Sequence, residues 1–303
     1  MLSVLIPIYN FEMAELVTDL QLQCQKVGVE CEIICIDDCS DAKFHALNAP
    51  LDKLEGVRYR QLSQNVGRSR IRNLLAKEAQ MEWLLFLDCD SKLPDDNFIR
   101  RYIQHFNTPK VLCGGTIYGK NPPVESTYFL HWLYGSHREA RPAAERMSDG
   151  LMGFASNNFA LPADLFHQIR FDEDLTQYGH EDTLFGIQVR KRQIDILHID
   201  NPVEHLGLEP NEVFLRKHRM AIENLLKVQQ SHPELQTRLS MTYQRLQSWG
   251  LAPLLRWFHR LLGPSLQRKL ARGQTQLFWL DIYRLGEWSL LLQRASGPTQ
   301  KPL

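Results

Sequence analysis

The sequence predicts an α/β fold: a mostly parallel sheet flanked by helices over residues 1–210, followed by a C-terminal helical region over residues 211–303. Three observations predict it. In the first ninety residues, short β-rich apolar runs alternate with segments of helical spacing. Those runs are continuously apolar, as strands covered on both faces are. From residue 212 onward the pattern is helical throughout, with breaks at Pro233, at Gly250 with Pro253, and at Gly263 with Pro264.

Residues 4–8 (VLIPI) form the first strand, ended by Asn10. A helix over 15–27 carries Leu16, Leu20 and Val27 at helical spacing and stops at Gly28. Residues 32–36 (EIICI) and 57–62 are the second and third strands, and 83–87 the fourth. Between the last two, a helix over 68–80 sets Ile71, Leu74, Leu75 and Ala79 on one side. Residues 113–119 read as a further strand, and 121–146 as a mobile excursion holding prolines, aromatics and charges. Residues 154–161 precede Pro162 and a helix over 164–169; another helix spans 181–193, with a strand at 194–199. The tail gives helices over 212–230, 234–249, 254–262 and 276–293, and its last eight residues fray.

Composition narrows the function. The 303 residues are 44% hydrophobic and 23% charged, which excludes disorder, collagen-like repeats and coiled coil. Thirty-five basic and 35 acidic residues cancel, which argues against a general nucleic-acid binder. No run approaches the roughly 18 apolar residues of a membrane span. The N-terminus has no basic region before its apolar residues and reads as a strand, not a secretory signal. Six cysteines lie within the first 113 residues without a CxxC pair, which indicates reduced thiols and a cytoplasmic setting.

Polar residues gather where the predicted strands end: Tyr9 and Asn10, Asp37 and Asp38, Asp88 and Asp90. Parallel sheets bind ligands beyond those carboxyl ends. Asp88 and Asp90, two apart on an extended backbone, face the same way. Unpaired, they would repel one another. Mg²⁺ or Mn²⁺, which prefer carboxylate oxygens, would resolve the conflict. For an isolated pair, a strand-ending turn is the better reading, because so short a motif is common by chance.

The wider pattern adds to this. It comprises VLIPIYN at 4–10; Ile36-Asp37-Asp38-Cys39-Ser40, with Cys39 where glycine is usual; Asn65-Val66-Gly67 followed by Arg72-Asn73; and Leu87-Asp88-Cys89-Asp90-Ser91. It continues with Asn157-Asn158, Phe171-Asp172-Glu173 and Tyr178-Gly179-His180-Glu181-Asp182. In order and spacing this resembles the family 2 glycosyltransferases, inverting enzymes with the GT-A fold. The resemblance implies sugar transfer from a nucleotide-sugar donor to an acceptor hydroxyl. Pro7, Tyr9 and Asp38 would hold the base and ribose, Asp88 the ribose, and Arg72 would lie near the diphosphate. Asp90 would bind the divalent cation, Mn²⁺ or Mg²⁺, with His205 as a further ligand; His180 and His198 compete for that place. Asp182 would be the general base, and Glu181 would orient its loop or touch the acceptor. Asn157 and Asn158 would lie near donor sugar and acceptor. Arg68 and Arg70 read instead as a solvated helix face, and Cys39 is costly if its loop needs positive φ.

The expected donor is a UDP-sugar, with GDP- and dTDP-sugars as alternatives. The expected acceptor is a surface polysaccharide or lipid-linked glycan. Two other classes compete: a non-catalytic nucleotide-sugar-binding scaffold, and a sugar-nucleotide nucleotidyltransferase. The latter is disfavoured because residues 1–20 contain no glycine. No motif covers the tail beyond 210. Its stretch 251–280 holds five basic residues, no acid, and interleaved Leu254, Leu255, Trp257, Phe258, Leu261 and Leu262. That composition suits peripheral membrane contact, or a helix packed on the catalytic domain or on a second subunit in a homodimer.

Overall fold

The computed structural model describes residues 1–108, 110–149, 153–175, 178–273 and 276–295. The four early apolar runs are β1 (Leu2–Ile8), β2 (Cys31–Asp37), β3 (Val57–Gln61) and β4 (Trp83–Leu87), separated by α1 (Ala14–Val27), α2 (Ala42–Asn48) and α3 (Arg68–Glu78). Next come β5 (Ser91–Lys92), α4 (Phe98–Ile103), β6 (Val111–Cys113), β7 (Thr116–Ile117), α5 (Phe129–Tyr134) and α6 (Ala143–Ser148). They are followed by β8 (Asn158–Pro162), α7 (Ala163–Ile169), α8 (Glu181–Lys191), β9 (Ile196–His198) and β10 (Val203–His205). Four long helices close the chain: α9 (Asn211–Ser231), α10 (Arg238–Ser248), α11 (Ala252–Ala271) and α12 (Leu277–Ala295).

The described residues fall into two compact units. One is built from Met1–Gly119, Gly135–Thr176 and Glu181–Gly207, the other from Lys120–Tyr134, Gln177–His180 and Leu208–Leu303. In the first unit a seven-stranded sheet runs β3-β2-β1-β4-β8-β6-β9. It is parallel except at β8, which runs antiparallel to both β4 and β6. The period-2 geometry of strands splits its side chains between two cores. Leu2, Val4, Ile6 and Ile8 of β1 pack with Leu16 and Leu20 of α1 and Phe98 of α4. Leu5, with Leu84 and Phe86 of β4, packs with Ile71 and Leu75 of α3, Phe166 of α7 and Phe185 of α8.

Three expectations are corrected here. The strand expected over 113–119 breaks at Gly114 and Gly115. A Cβ on Gly114 would lie 2.4–2.5 Å from Asn158 Nδ2, Asn201 O and Tyr102 Oη, and Gly115 has φ 89°, so only glycine lets the chain bend here. Past the bend, β7 joins a second sheet in the order β5-β10-β7. The excursion over 121–146 is short helices. Its Arg146, 5% exposed, donates to the carbonyls of Cys113, Gly114 and Ile199, so tertiary bonds order a segment whose local sequence specifies little.

The second unit centres on Leu130, Phe214, Leu215, Leu266, Leu270, Leu280 and Tyr283. In it, α11 runs straight through the break expected at Gly263 and Pro264. Pro264 is exposed, while Gly263, Leu266 and Leu270 hold the helix inward on either side. Facing Gly286, the buried His259 bonds Glu287 Oε1 at 3.0 Å, and Glu287 Oε2 lies 3.4 Å from Arg219 Nε, so α9, α11 and α12 share one polar knot. Among the described residues, no helix is long and apolar enough to cross a membrane.

Candidate active site

The first turn of α3 organises the site. Gly67, with φ 84°, turns the chain into α3, and the amides at a helix start lack internal partners. Val66 N and Gly67 N donate to the two carboxylate oxygens of Asp38 at 2.6 and 3.0 Å. Burial pushes the Asp38 carboxyl above the ordinary aspartate range although both amide bonds work the other way. Asp37 is fully buried, accepting from Tyr59 Oη and Ser40 N, and so builds the loop. Cys39 takes φ 64° there, the left-handed conformation its usual glycine would hold freely.

Two arginines of α3, four residues apart, gather acids from distant segments. The guanidinium of Arg72, 2% exposed, donates to Asp88 Oδ1 at 2.7 Å and lies over the Phe171 ring. Arg68 Nη1 donates to Glu181 Oε1 at 3.2 Å, although its side chain is 51% exposed, as a solvated face would have it. Arg70 bonds Glu173. Asn73 Nδ2 donates to Phe171 O and Glu173 Oε1, so two of the sequence motifs meet directly. Signals for Arg68 were present: it stands four residues before Arg72, on one helix face. Its partner lies 113 positions away, where local reasoning does not reach.

Glu181 and Asp182 open α8. Burial opposes the charge on Glu181, yet Arg68 and Arg72 hold it below the usual glutamate range. Asp182 goes the other way: burial, then the negative charge of Glu181, pushes it up to about 6. Its Oδ1 accepts from Thr183 N and Oγ1, while among the described residues nothing donates to Oδ2. Environments that drive neighbouring carboxyls apart are how folds separate acid–base roles.

Asp90 lies beside β10 because Ser91 pairs with His205 across β5 and β10. His205 Nδ1 is 3.5 Å from Asp90 Oδ1, and that buried oxygen forms no aligned hydrogen bond among the described residues. Burial works against both charges, but each holds the other in its charged form: Asp90 is lowered and His205 raised. The Tyr118 ring packs 5.3 Å from His205. The competing histidines are engaged elsewhere, His198 with Arg146 and His180 with Ala221 O. Gly207 borders the carboxylate so closely that a Cβ there would fall 2.2 Å from Asp90 Oδ2.

The residues present fit a divalent cation. Two cis ligands of an octahedral Mg²⁺-like ion stand about 3.0 Å apart, near the observed spacing, and such ions complete their shell with water and substrate phosphate. Among the described residues no cluster of three His, Cys, Asp or Glu could hold a metal, so an ion beside Asp90 and His205 would take its remaining positions from water and phosphate.

The two asparagines divide. Asn157 Nδ2 donates to Thr116 Oγ1 at 2.6 Å, and its backbone carbonyl accepts from Asp88 N. Asn158 is fully buried, with its amide committed to Tyr102 Oη, Gly115 O and Asn201 O, so no donor is left for a sugar. Pro7 is half-buried at the end of β1, and Tyr9, 55% exposed, stands beyond it.

The profile of Glycosyl transferase family 2 matches residues 3–168, more than half the chain. No curated protein matches the sequence. Among solved structures, the chain is similar to the mannosyltransferase PcManGT from Pyrobaculum calidifontis in complex with GDP-Man and Mn²⁺, at 11% identity over 100% of this chain and 76% of that one, TM-score 0.51. It is similar to S. aureus TarS at 18% identity over 95% of this chain and 55% of that one, TM-score 0.50. A third is TarS 1–349 in complex with UDP, at 19% identity over 100% and 94%, TM-score 0.49. At such identities the likeness speaks for the fold, and the profile match over the sheet and the α3 turn speaks for the family: the chain belongs to glycosyl transferase family 2 and is a glycosyltransferase with the GT-A fold.

Proposed function

We propose that this enzyme moves a sugar from a nucleoside-diphosphate donor, a UDP-sugar, onto a hydroxyl of a glycan or lipid-linked glycan, with inversion, during surface polysaccharide assembly in the cytoplasm. Residues 1–210 form its catalytic region and 211–303 its helical region. The observation that carries this reading is the convergence of Asp38, Asp88, Glu181 and Asp182 on Arg68, Arg72 and the amides of one helix start. GDP-Man and Mn²⁺ in the mannosyltransferase support a nucleotide sugar and a divalent cation here.

Asp182 is the general base. A carboxylate with a pKa near the working pH removes a proton efficiently, and burial with Glu181 supplies that pKa. As the acceptor oxygen attacks the anomeric carbon, its proton passes to Asp182 Oδ2 and the bond to the diphosphate breaks on the opposite face. One displacement inverts the centre and needs no enzyme nucleophile. Arg72 steadies the diphosphate, Asp88 and Asp38 hold the nucleoside with Pro7 and Tyr9, and Asn157 faces the sugar. Asp90 and His205 would hold the cation, which supplies positive charge to the departing diphosphate.

The test is Asp182→Asn. Transfer should fall at least about 100-fold, while thermal shifts with UDP-sugar and Mn²⁺ persist, since ligand binding to the native state raises apparent stability. Lost donor binding in this variant would count against the base role.

A further inference from the structure

The outward ridge of α11 is apolar where a soluble helix is normally polar. Leu254, Trp257 and Leu261, spaced by three and four residues, are 59%, 60% and 58% exposed. The opposite face, with Ala252, His259, Gly263, Leu266 and Leu270, is buried within the second unit. Trp249 and Leu251, just before α11, are exposed as well. Beyond Ser265 the same ridge becomes cationic, through exposed Arg268 and Arg272. Residues 252–272 contain no acid.

We infer that this ridge docks on an anionic lipid surface. The apolar half and the cationic half each span about 10 Å of helix. Indole and leucine side chains settle at the boundary of headgroups and acyl chains. Arginines on the same side meet anionic headgroups. The identical ridge of a second copy is a poorer occupant, because its residues 252–272 offer no acid to pair with Arg268 and Arg272. The inference is independent of the donor and acceptor reading, since vesicle binding needs no turnover.

The test is sedimentation of the full chain with phosphatidylcholine vesicles, with and without 30% phosphatidylglycerol. The chain should bind the anionic vesicles and leave the neutral ones. The triple variant Leu254→Ser, Trp257→Ser, Leu261→Ser should lose on the order of 100-fold in partitioning. Arg268→Gln with Arg272→Gln should lose roughly 10–30-fold at low salt, with the difference fading in high salt. All these side chains are exposed, so thermal melting should match the parent. The inference is overturned if the triple variant binds like the parent, if the parent binds neither vesicle, or if the parent is a dimer that the triple variant dissociates.

Discussion

Lowering the pH from 8 to 5 should cut kcat/KM about tenfold, through one carboxyl. Burial and the adjacent charge of Glu181 push Asp182 up to about 6. A group with that pKa is ionised in only about one molecule in eleven at pH 5, whereas an ordinary aspartate near 3.9 would remain about nine-tenths ionised. The sign follows from the direction: a raised pKa keeps the proton on to higher pH, so the base disappears as pH falls through 6. Initial rates of nucleotide release, at constant ionic strength from pH 4.5 to 8.5, would record the acid limb. Thermal shifts at each pH would separate lost chemistry from lost donor binding. Glu181→Gln removes the like charge beside Asp182 and should move the limb to lower pH. A flat profile down to pH 5, or a limb that Glu181→Gln leaves in place, would overturn the assignment.

Gly207→Ala should raise the divalent cation needed for half-maximal rate by roughly tenfold, because its Cβ would fall 2.2 Å from Asp90 Oδ2 and displace a proposed ligand; a cation titration reads this. Cys39→Gly should stabilise the fold by about 0.5–1 kcal/mol in urea unfolding, since relief of the φ 64° conformation outweighs the added freedom of glycine in the unfolded chain. Gly286→Ala should cost about 1–3 kcal/mol by the same measurement, because its Cβ would meet the buried His259 ring at 2.2 Å.

Much of the fold was legible. The apolar run 83–87 reads as a strand because aspartates end it abruptly, and β4 spans those residues. The helices over 15–27 and 68–80 agree with α1 and α3 to within two residues at either end. The second sheet was not legible: β5 has two residues and β7 two, too few to show any period. That blindness extends to the site, since pairing of β5 with β10 is what brings His205 to Asp90 and separates it from His180 and His198. Paired acids announce themselves by spacing, whereas their arginine partners lie 16 and 113 positions away. The continuation of α11 through Pro264 likewise rests on packing that no local rule contains.

One reversed strand has an effect beyond its own length. Since β8 runs against β4, with Leu87 opposite Asn158, position 157 arrives at the rim where Asp88 stands. Sliding β8 by a single residue would turn Asn157 inward and Asn158 outward. The interior bond from Tyr102 to Asn158 is thus a peg that fixes the phase of the sheet, and a fully buried residue decides which asparagine stands at the rim.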